Sequence, residues 1–144
     1  MSGLKSIGVR VEPAAVTGGL GSGVAAIAFE IADLLDHLAA AGESGAIDLR
    51  SLPMTADDRL RLRELLGTGE VQATVDADGP STVHETGISG VWWTEHRNAQ
   101  GQLLAELIEV CRVPEILVLA QEDLSPAARR LRERIAALAA AQES

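Results

Sequence analysis

The chain has 144 residues, of which 47% are hydrophobic, and its formal net charge is −9 at pH 7. This length and apolar content suffice for one domain with a core of ordinary size. The acidic balance argues against a nucleic-acid partner, which requires a basic surface, and against an anionic membrane surface. No apolar run approaches the ~20 residues of a membrane-spanning helix, and the first residues lack the apolar centre of a secretory signal. We therefore expect a cytoplasmic protein without membrane insertion.

The N-terminal residues predict an extended segment and then a flexible entry to a helix. The apolar residues of the extended segment alternate with polar or small ones: Ile7, Val9 and Val11. The sequence TGGLGSG over 17–23 is interpreted as a flexible connection. A phosphate-binding loop is the alternative, but the lysine that ends such a loop is missing. We expect residues 1–23 to precede a single domain over 24–141.

Two helices are predicted next. The first has apolar residues at helical spacing: Val24, Ile27, Ala28, Ile31, Leu34, Leu35 and Leu38. Gly42 is placed to cap its C-terminal end. The second is expected to begin at Thr55, which forms the T-x-x-D arrangement of a capping box with Asp58, and to end at Gly67. Its apolar stripe is Leu62, Leu65 and Leu66.

Three arginines lie on the second predicted helix outside the apolar stripe: Arg59, Arg61 and Arg63. Charged residues at such positions are most often a solvated helix face, and we interpret them so. The alternative is that they contact an acidic segment of a partner.

From Glu70 onward the apolar residues alternate with polar ones, which is typical of strands. Four strands are expected, beginning with the one that holds Val71, Ala73 and Val75, and continuing with STVHET, ISGVWWTEH and QLLAELIEV. The turn sequences DADGP and NAQG connect them. Gly90 permits a bulge or a close backbone approach. The prediction is an α+β fold in which about three helices pack with an antiparallel four-stranded meander whose other face is free.

Ser125 and Pro126 predict the start of a third helix, because proline is tolerated in the first turn. Its apolar residues at helical spacing are Ala128, Leu131, Ile135 and Leu138. We expect this helix to pack on the sheet.

The side chains able to bind a metal are concentrated in the predicted meander: His84, Glu85, Glu95, His96 and Cys111. Neighbouring side chains along a strand point to opposite faces, so the two adjacent pairs cannot converge on one ion. We therefore predict no metal and no cofactor, and interpret these residues as cross-strand polar pairs. Cys111, the single cysteine, is expected to be a small buried hydrophobe.

A catalytic apparatus is not evident in the sequence. No serine lies in a G-x-S-x-G context, and the three histidines are scattered. A protein-binding role without catalysis is therefore favoured. The alternative is a small enzyme, or a protein that handles a metal or cluster, using His84, His96 and Cys111.

The two adjacent tryptophans give a prediction for the binding surface. Trp92 and Trp93 must point to opposite faces of a strand. Val91 shares its face with Trp93, so we assign Trp93 to the core and Trp92 to an exposed partner-binding surface. The other residues that we assign to this surface are His84, Glu85 and His96.

Several segments carry a resemblance to a known family. GVWWTEH, followed by NAQG and LLAELIEV, resembles the C-terminal conserved region of the HupH/HyaF hydrogenase expression proteins. Upstream, IDLRSLPMTADDRLRLRELLGTGEV and then HET are similar to that family in order and spacing. The resemblance implies an accessory or chaperone-like role in the maturation of bacterial uptake nickel-iron hydrogenases. It also implies binding to a hydrogenase subunit precursor, with the small iron-sulfur subunit favoured, and contact with other maturation factors.

Overall fold

The computed structural model describes residues 21–76 and 78–143. The extended segment predicted around Val9 lies outside the described residues, as does most of the glycine-rich sequence. By its internal contacts the chain forms two compact units, Met1–Pro114 and Glu115–Ser144. A single domain over 24–141 stays a prediction.

The first unit contains two helices and a five-stranded sheet among its described residues. In chain order its elements are α1 (Ser22–Ala41), β1 (Gly45–Asp48), a 3-10 turn (Leu49–Ser51), α2 (Ala56–Leu66), β2 (Gln72–Asp76), β3 (Pro80–Glu85), β4 (Val91–Arg97) and β5 (Leu103–Val110). All neighbouring strands are antiparallel, in the order β1-β5-β4-β3-β2. The α+β class and the meander from β2 to β5 are confirmed. The prediction of four strands is wrong, because β1 pairs with β5 and adds a fifth strand at the edge.

The helix ends follow the signals in the sequence. Gly42 adopts a left-handed conformation after α1, and its N–H donates to the Leu38 carbonyl at 2.8 Å. At the start of α2, the Thr55 hydroxyl accepts the Asp58 N–H and the Asp58 carboxylate accepts the Thr55 N–H, both at 3.0 Å. These bonds satisfy backbone groups that a helix end leaves without partners. Both predicted caps are confirmed.

Helices α1 and α2 bury their apolar residues against one face of the sheet. Trp93 is central to this core and lies opposite Ile108 of β5 in the strand register. The buried core comprises Val24, Ile27, Ile31, Ile47, Leu49, Leu62, Leu66, Val91, Trp93, Ile108 and Val110. Leu65 is exposed, so the predicted stripe of α2 is narrower than expected.

The other face of the sheet is not free around β3 and β4, contrary to our expectation. Val83 and Thr94 face each other there and are fully buried. Ser81 and Trp92, which share this face by alternation along their strands, are buried as well. Burial on both faces explains why β4 has four successive buried residues instead of an alternating pattern.

Gly90 enters β4 with a φ of 85°, a conformation that side chains other than glycine rarely adopt. A Cβ atom at this position would lie 3.2 Å from Cδ2 of Leu35 on α1. The Gly90 carbonyl accepts the N–H of Cys111 at 2.9 Å. The glycine therefore combines a positive φ with close packing of its backbone.

The second unit begins with two 3-10 turns, Glu115–Leu117 and Gln121–Asp123, and continues as helix α3 (Leu124–Glu143). Pro126 lies in its first turn, as predicted. No described residue of α3 is buried, and the stripe residues Leu131, Ile135 and Leu138 are 58–67% exposed. The packing of this helix on the sheet stays a prediction. No helix in the described part of the chain is long and apolar enough to cross a membrane.

Candidate partner-binding site

Two backbone segments, LGTGEV after α2 and HETG at the end of β3, cross beside the core. The Gly69 N–H donates to the Glu85 carbonyl at 2.8 Å, and the Glu85 N–H donates to the Val71 carbonyl at 2.8 Å. The Gly87 N–H donates to the Leu66 carbonyl at 2.9 Å. These bonds connect the end of α2 directly to the end of β3.

The crossing requires glycine at two positions because the backbones approach so closely. A Cβ atom at Gly69 would lie 2.5 Å from the Thr86 carbonyl oxygen, and one at Gly87 would lie 2.9 Å from the Leu66 carbonyl oxygen. Both are shorter than a van der Waals contact, so a side chain at either position would force the segments apart. Close packing of the two backbones therefore explains why glycine occupies positions 69 and 87.

Side chains of the HET sequence hold the same crossing together. The Glu85 carboxylate accepts the backbone N–H groups of Glu70 and Val71 at 3.1 and 3.2 Å. The Thr86 hydroxyl donates to the Val91 carbonyl at 2.8 Å. Glu85 therefore fixes the LGTGEV segment, while Thr86 fixes the entry to β4.

A polar cluster joins α2 to the sheet, and we call it the arginine-tryptophan cluster (Arg59, Arg63, Trp93 and Glu106). Glu106 is only 3% exposed. Its carboxylate accepts the Trp93 indole N–H at 3.0 Å and the Arg59 Nε–H at 2.9 Å. The Arg63 guanidinium lies 4.0 Å from the centre of the Trp93 ring, which is within cation-π distance.

A second carboxylate extends this cluster towards the surface. Arg63 Nη2 donates to Glu95 at 3.0 Å, and Arg97 donates to the other oxygen of Glu95 at 3.3 Å. The charges of the cluster are therefore compensated inside the protein. A buried carboxylate is tolerated when it is paired and hydrogen-bonded in this way.

The interpretation of the α2 arginines as a purely solvated face is incomplete for Arg59 and Arg63, because both contact buried Glu106 or Trp93 although the Arg63 side chain is 44% exposed. Arg61 does lie on the exposed face and pairs with Asp57 one turn earlier at 2.7 Å. Arg59 and Arg63, four residues apart, thus lie on the side of α2 that contacts Glu106 and Trp93.

A cleft of about 120 Å³ opens beside the cluster, and we call it the Trp93 cleft. Its lining residues are Arg63, Gly67, Thr68, His84, Glu85, Thr86 and Trp93. These residues come from four segments: α2, LGTGEV, HET and strand β4. Four of the segments that carry the family resemblance therefore converge on this cleft.

A second concavity of about 230 Å³ lies at the other end of α2, and we call it the LPM pocket. Leu52, Pro53 and Met54 form one wall as a tight turn, in which the Met54 N–H donates to the Leu52 carbonyl at 2.8 Å. The remaining lining residues are Gly23, Val24, Ala26, Ile27 and Glu30 of α1 and Asp58 of α2.

Of the four residues predicted to bind a partner, only His84 and Glu85 line the Trp93 cleft. His96 lies on the opposite sheet face, where its Nδ1 is 3.0 Å from the Ser81 hydroxyl. Trp92 is 7% exposed, and its indole N–H donates to the Cys111 carbonyl at 3.2 Å. The expectation of an exposed Trp92 is wrong, because both faces of β4 are covered.

The residues of the alternative, His84, His96 and Cys111, are not brought together by the sheet. His84 lies opposite Trp93 and His96 opposite Ser81, on different faces. Burial, together with the nearby Glu109 carboxylate, raises the pKa of the Cys111 thiol to about 11. The thiol is therefore protonated at neutral pH, whereas a nucleophilic cysteine is a thiolate. In residues 21–76 and 78–143, no group of three His, Cys, Asp or Glu side chains could hold a metal.

Arg59, Arg63 and Glu106 are absent from the predicted site, although the sequence contains a signal for them. Arg59 and Arg63 are four residues apart and so share a helix face. Glu106 alternates with Ile108 and so shares its core-facing side of β5. A carboxylate on a core-facing strand position needs a cationic partner, and α2 supplies it.

The described residues of the first unit define a small α+β domain in which two helices cover one face of an antiparallel sheet, and the Trp93 cleft and the LPM pocket are two of its concave surfaces. Residues 22–138 match the model of a protein family that is described as "HupH hydrogenase expression protein, C-terminal conserved region". The chain belongs to this family, which confirms the resemblance found in the sequence.

Relatives with curated names agree with the family match. Hydrogenase expression/formation protein HupH of Rhodobacter capsulatus is 34% identical over 110 residues, which cover 75% of this chain and 40% of that protein. Hydrogenase-1 operon protein HyaF of Escherichia coli (strain K12) is 36% identical over 88 residues, which cover 61% of this chain and 31% of that protein. The chain thus spans about a third of the length of these relatives.

A solved structure extends the comparison to three dimensions. Hydrogenase expression protein HupH from Thiobacillus denitrificans ATCC 25259 is 43% identical and superposes with a TM-score of 0.75. The match covers 81% of this chain and 97% of that one. The two proteins therefore share their fold over nearly the whole of the solved chain.

Proposed function

We propose that this chain is an accessory protein in the assembly of a nickel-iron hydrogenase, and that it binds a hydrogenase subunit precursor in the cytoplasm. The small iron-sulfur subunit is the favoured client, and contact with other maturation factors is included in the proposal. Support comes from the family match over residues 22–138 and from relatives whose names describe hydrogenase expression or formation.

The observation that carries the proposed binding site is the convergence of four motif-bearing segments on the Trp93 cleft. Two of these segments are fixed by backbone hydrogen bonds and glycine contacts, so the cleft is formed before any partner arrives. A preformed surface loses little conformational entropy on binding. The polar side chains of Arg63, Glu85, Thr86 and Trp93 bond to other parts of the fold. His84 and Thr68 are the remaining polar side chains of the lining, and we propose that they bond to the partner.

Apolar side chains next to the cleft suit protein binding. Leu65 is the penultimate residue of α2, Val71 ends the LGTGEV segment and Ile88 follows HETG, and each is 41–45% exposed. Exposed apolar groups beside a small polar cleft are typical of protein interfaces, which have an apolar centre and hydrogen bonds around it. We infer a shallow contact surface built on these three residues and His84.

A role without catalysis is part of the proposal. The cleft is smaller than the ~300–1,000 Å³ of sites that enclose a drug-sized ligand. Its charged residues Arg63 and Glu85 are engaged with the fold rather than aimed at a bound molecule. Neither feature suggests a substrate site.

The test is co-purification of the full chain with each hydrogenase subunit precursor, expressed separately. We expect the small-subunit precursor to be retained and the large-subunit precursor to be retained less. His84→Ala should weaken retention severalfold at an unchanged melting temperature, because His84 supplies contacts to the client rather than to the core. His37→Ala is the matched control, since His37 is exposed on α1 and is hydrogen-bonded to Glu43, far from the Trp93 cleft in the sequence.

Two results would contradict the proposal. Retention of neither precursor by the wild-type chain at micromolar concentration would reject the binding function. Equal retention by His84→Ala and His37→Ala would move the contact surface away from the Trp93 cleft.

A further inference from the structure

We propose that the LPM pocket is a second client site, which takes one large apolar side chain of the hydrogenase subunit precursor lying next to a lysine or arginine. The inference rests on the proposed function, because it names the client as the source of the side chain. It differs from that proposal in its location, at the start of α2 instead of its end.

The size of the pocket fits a side chain better than a cofactor. Its volume of about 230 Å³ is below the ~300–1,000 Å³ range for drug-sized ligands. Its walls are apolar, with Val24 and Ile27 of α1 facing Leu52 and Met54. A methionine in the wall adapts to different apolar shapes because its side chain is unbranched and polarizable.

The pocket is rigid because its walls belong to the folded core. Val24 and Ile27 are buried core residues, and Leu52 and Met54 pack against the same core. The capping box at Thr55 fixes the chain directly after Met54. An apolar anchor that enters a preformed pocket at low entropic cost is a frequent source of binding energy at interfaces.

The charged residues of the LPM pocket determine which residue of the client can lie next to the bound apolar side chain, which we call the anchor. Glu30 of α1 and Asp58 of α2 are the charged residues that line the pocket, and both are acidic. The Asp58 carboxylate accepts one backbone N–H of the capping box. With a net charge of −9 over the whole chain, the rim favours a cationic neighbour of the apolar side chain and disfavours an acidic one.

The decisive variant fills the pocket without removing any core contact. Ala26 lines the pocket and is exposed, so Ala26→Leu places a side chain where the anchor would sit. We expect it to weaken binding of the small-subunit precursor by about tenfold or more, since loss of a central anchor typically has this effect. The matched control is Ala32→Leu, which adds the same group at an exposed α1 position outside the pocket. It should bind as the wild type does.

The charge selection is tested by Glu30→Lys with Asp33→Lys as its control, because both residues are exposed on α1 and only Glu30 lines the pocket. Glu30→Lys should weaken binding several-fold at low salt and much less at about 1 M salt, where exposed charges are screened beyond ~3 Å. Asp33→Lys should change binding little. An equal effect of both variants would show that only net charge matters and would overturn the selection.

The outcomes separate this inference from the proposed function. If the wild-type chain binds the precursor and Ala26→Leu binds it equally well, the pocket is not an anchor site while the proposed function stands. If the wild-type chain binds neither precursor, the proposed function itself fails. If Ala26→Leu instead abolishes a concentration-dependent dimer seen by analytical ultracentrifugation, the occupant is a second copy of this chain and the inference is wrong.

Discussion

The two ends of helix α2 carry concave surfaces of opposite character. At its C-terminal end, Arg63 lies over Trp93 beside a nearly buried Glu106, and the charged groups satisfy one another. At its start, Leu52 and Met54 line a pocket whose apolar walls face open space. The same helix of 11 residues therefore contacts a polar cluster whose groups are paired with one another and an apolar pocket that is open to solvent.

The arginine-tryptophan cluster is expected to contribute to stability, and the LPM pocket to binding. Groups in a saturated cluster lose their partners when one member is removed, so a mutation there destabilises the fold. Walls of an open apolar pocket gain free energy only when a partner covers them. We therefore expect variants in the arginine-tryptophan cluster to change stability and variants in the LPM pocket to change binding.

The largest effect is expected for Trp93→Ala. Truncation of a buried tryptophan costs ~3–5 kcal/mol, and here it also leaves Glu106 without the indole N–H. Trp92→Ala should be destabilising as well, because Trp92 is buried and bonded to the Cys111 carbonyl. Urea unfolding measures both. A Trp92→Ala variant with wild-type stability would show that the second sheet face is open after all.

A smaller loss of stability is expected for Arg59→Ala. Glu106 would keep the Trp93 N–H but lose its closest cation, and removing one partner of a buried pair costs up to ~3–5 kcal/mol. Because Arg59 is about a third exposed, we expect about 2 kcal/mol. Arg61→Ala is the matched control on the exposed face and should unfold at the wild-type urea concentration. Equal midpoints for the two variants would mean that the cluster contributes nothing to stability.

The smallest effect on stability is expected from the ionisation of the Cys111 thiol, whose rate of alkylation also reports on how often the fold opens. Its pKa of about 11, against an ordinary value of 9.0, should make alkylation at pH 8 about 100-fold slower in the folded chain than in urea. Because the folded pKa is raised, its contribution to stability is full below pH 9 and is lost between about pH 9 and 11. Iodoacetamide labelling followed by mass spectrometry measures the rate.

Labelling also distinguishes the arginine-tryptophan cluster from the LPM pocket. Arg59→Ala should accelerate alkylation of Cys111, because a less stable fold opens more often. Ala26→Leu should leave the rate unchanged. Faster labelling in Ala26→Leu would show that the LPM pocket is part of the stabilising core, and the contrast between the two ends would be lost.

Local signals in the sequence predicted much of this fold. The capping box at Thr55, the C-terminal glycine Gly42 and the turns of the meander depend on residues close in the chain, and all lie where expected. Strand β1 escaped prediction because four residues with little alternation carry no periodic signal. Its pairing with β5 joins residues more than 50 positions apart, which no local pattern reveals.

The candidate site was predicted less well, because it depends on contacts across the sheet. The strand pattern placed His84 and Glu85 correctly in the meander, but their cleft exists only because LGTGEV crosses HETG. The pattern alone could not show that Trp92 is covered, since alternation gives the face of a residue and not what lies above it. The role of Arg59 likewise depends on a carboxylate 47 residues away.

Helix α3 has a consequence for how the protein melts. Its 20 residues are rich in alanine, arginine and leucine, which favour a helix by themselves, and none is buried. Such a helix melts gradually as a helix-coil transition, whereas a packed core melts in one cooperative step. Circular dichroism should therefore show helical signal declining before the tryptophan fluorescence of the first unit changes. A single transition shared by both signals would mean that α3 is held by tertiary packing.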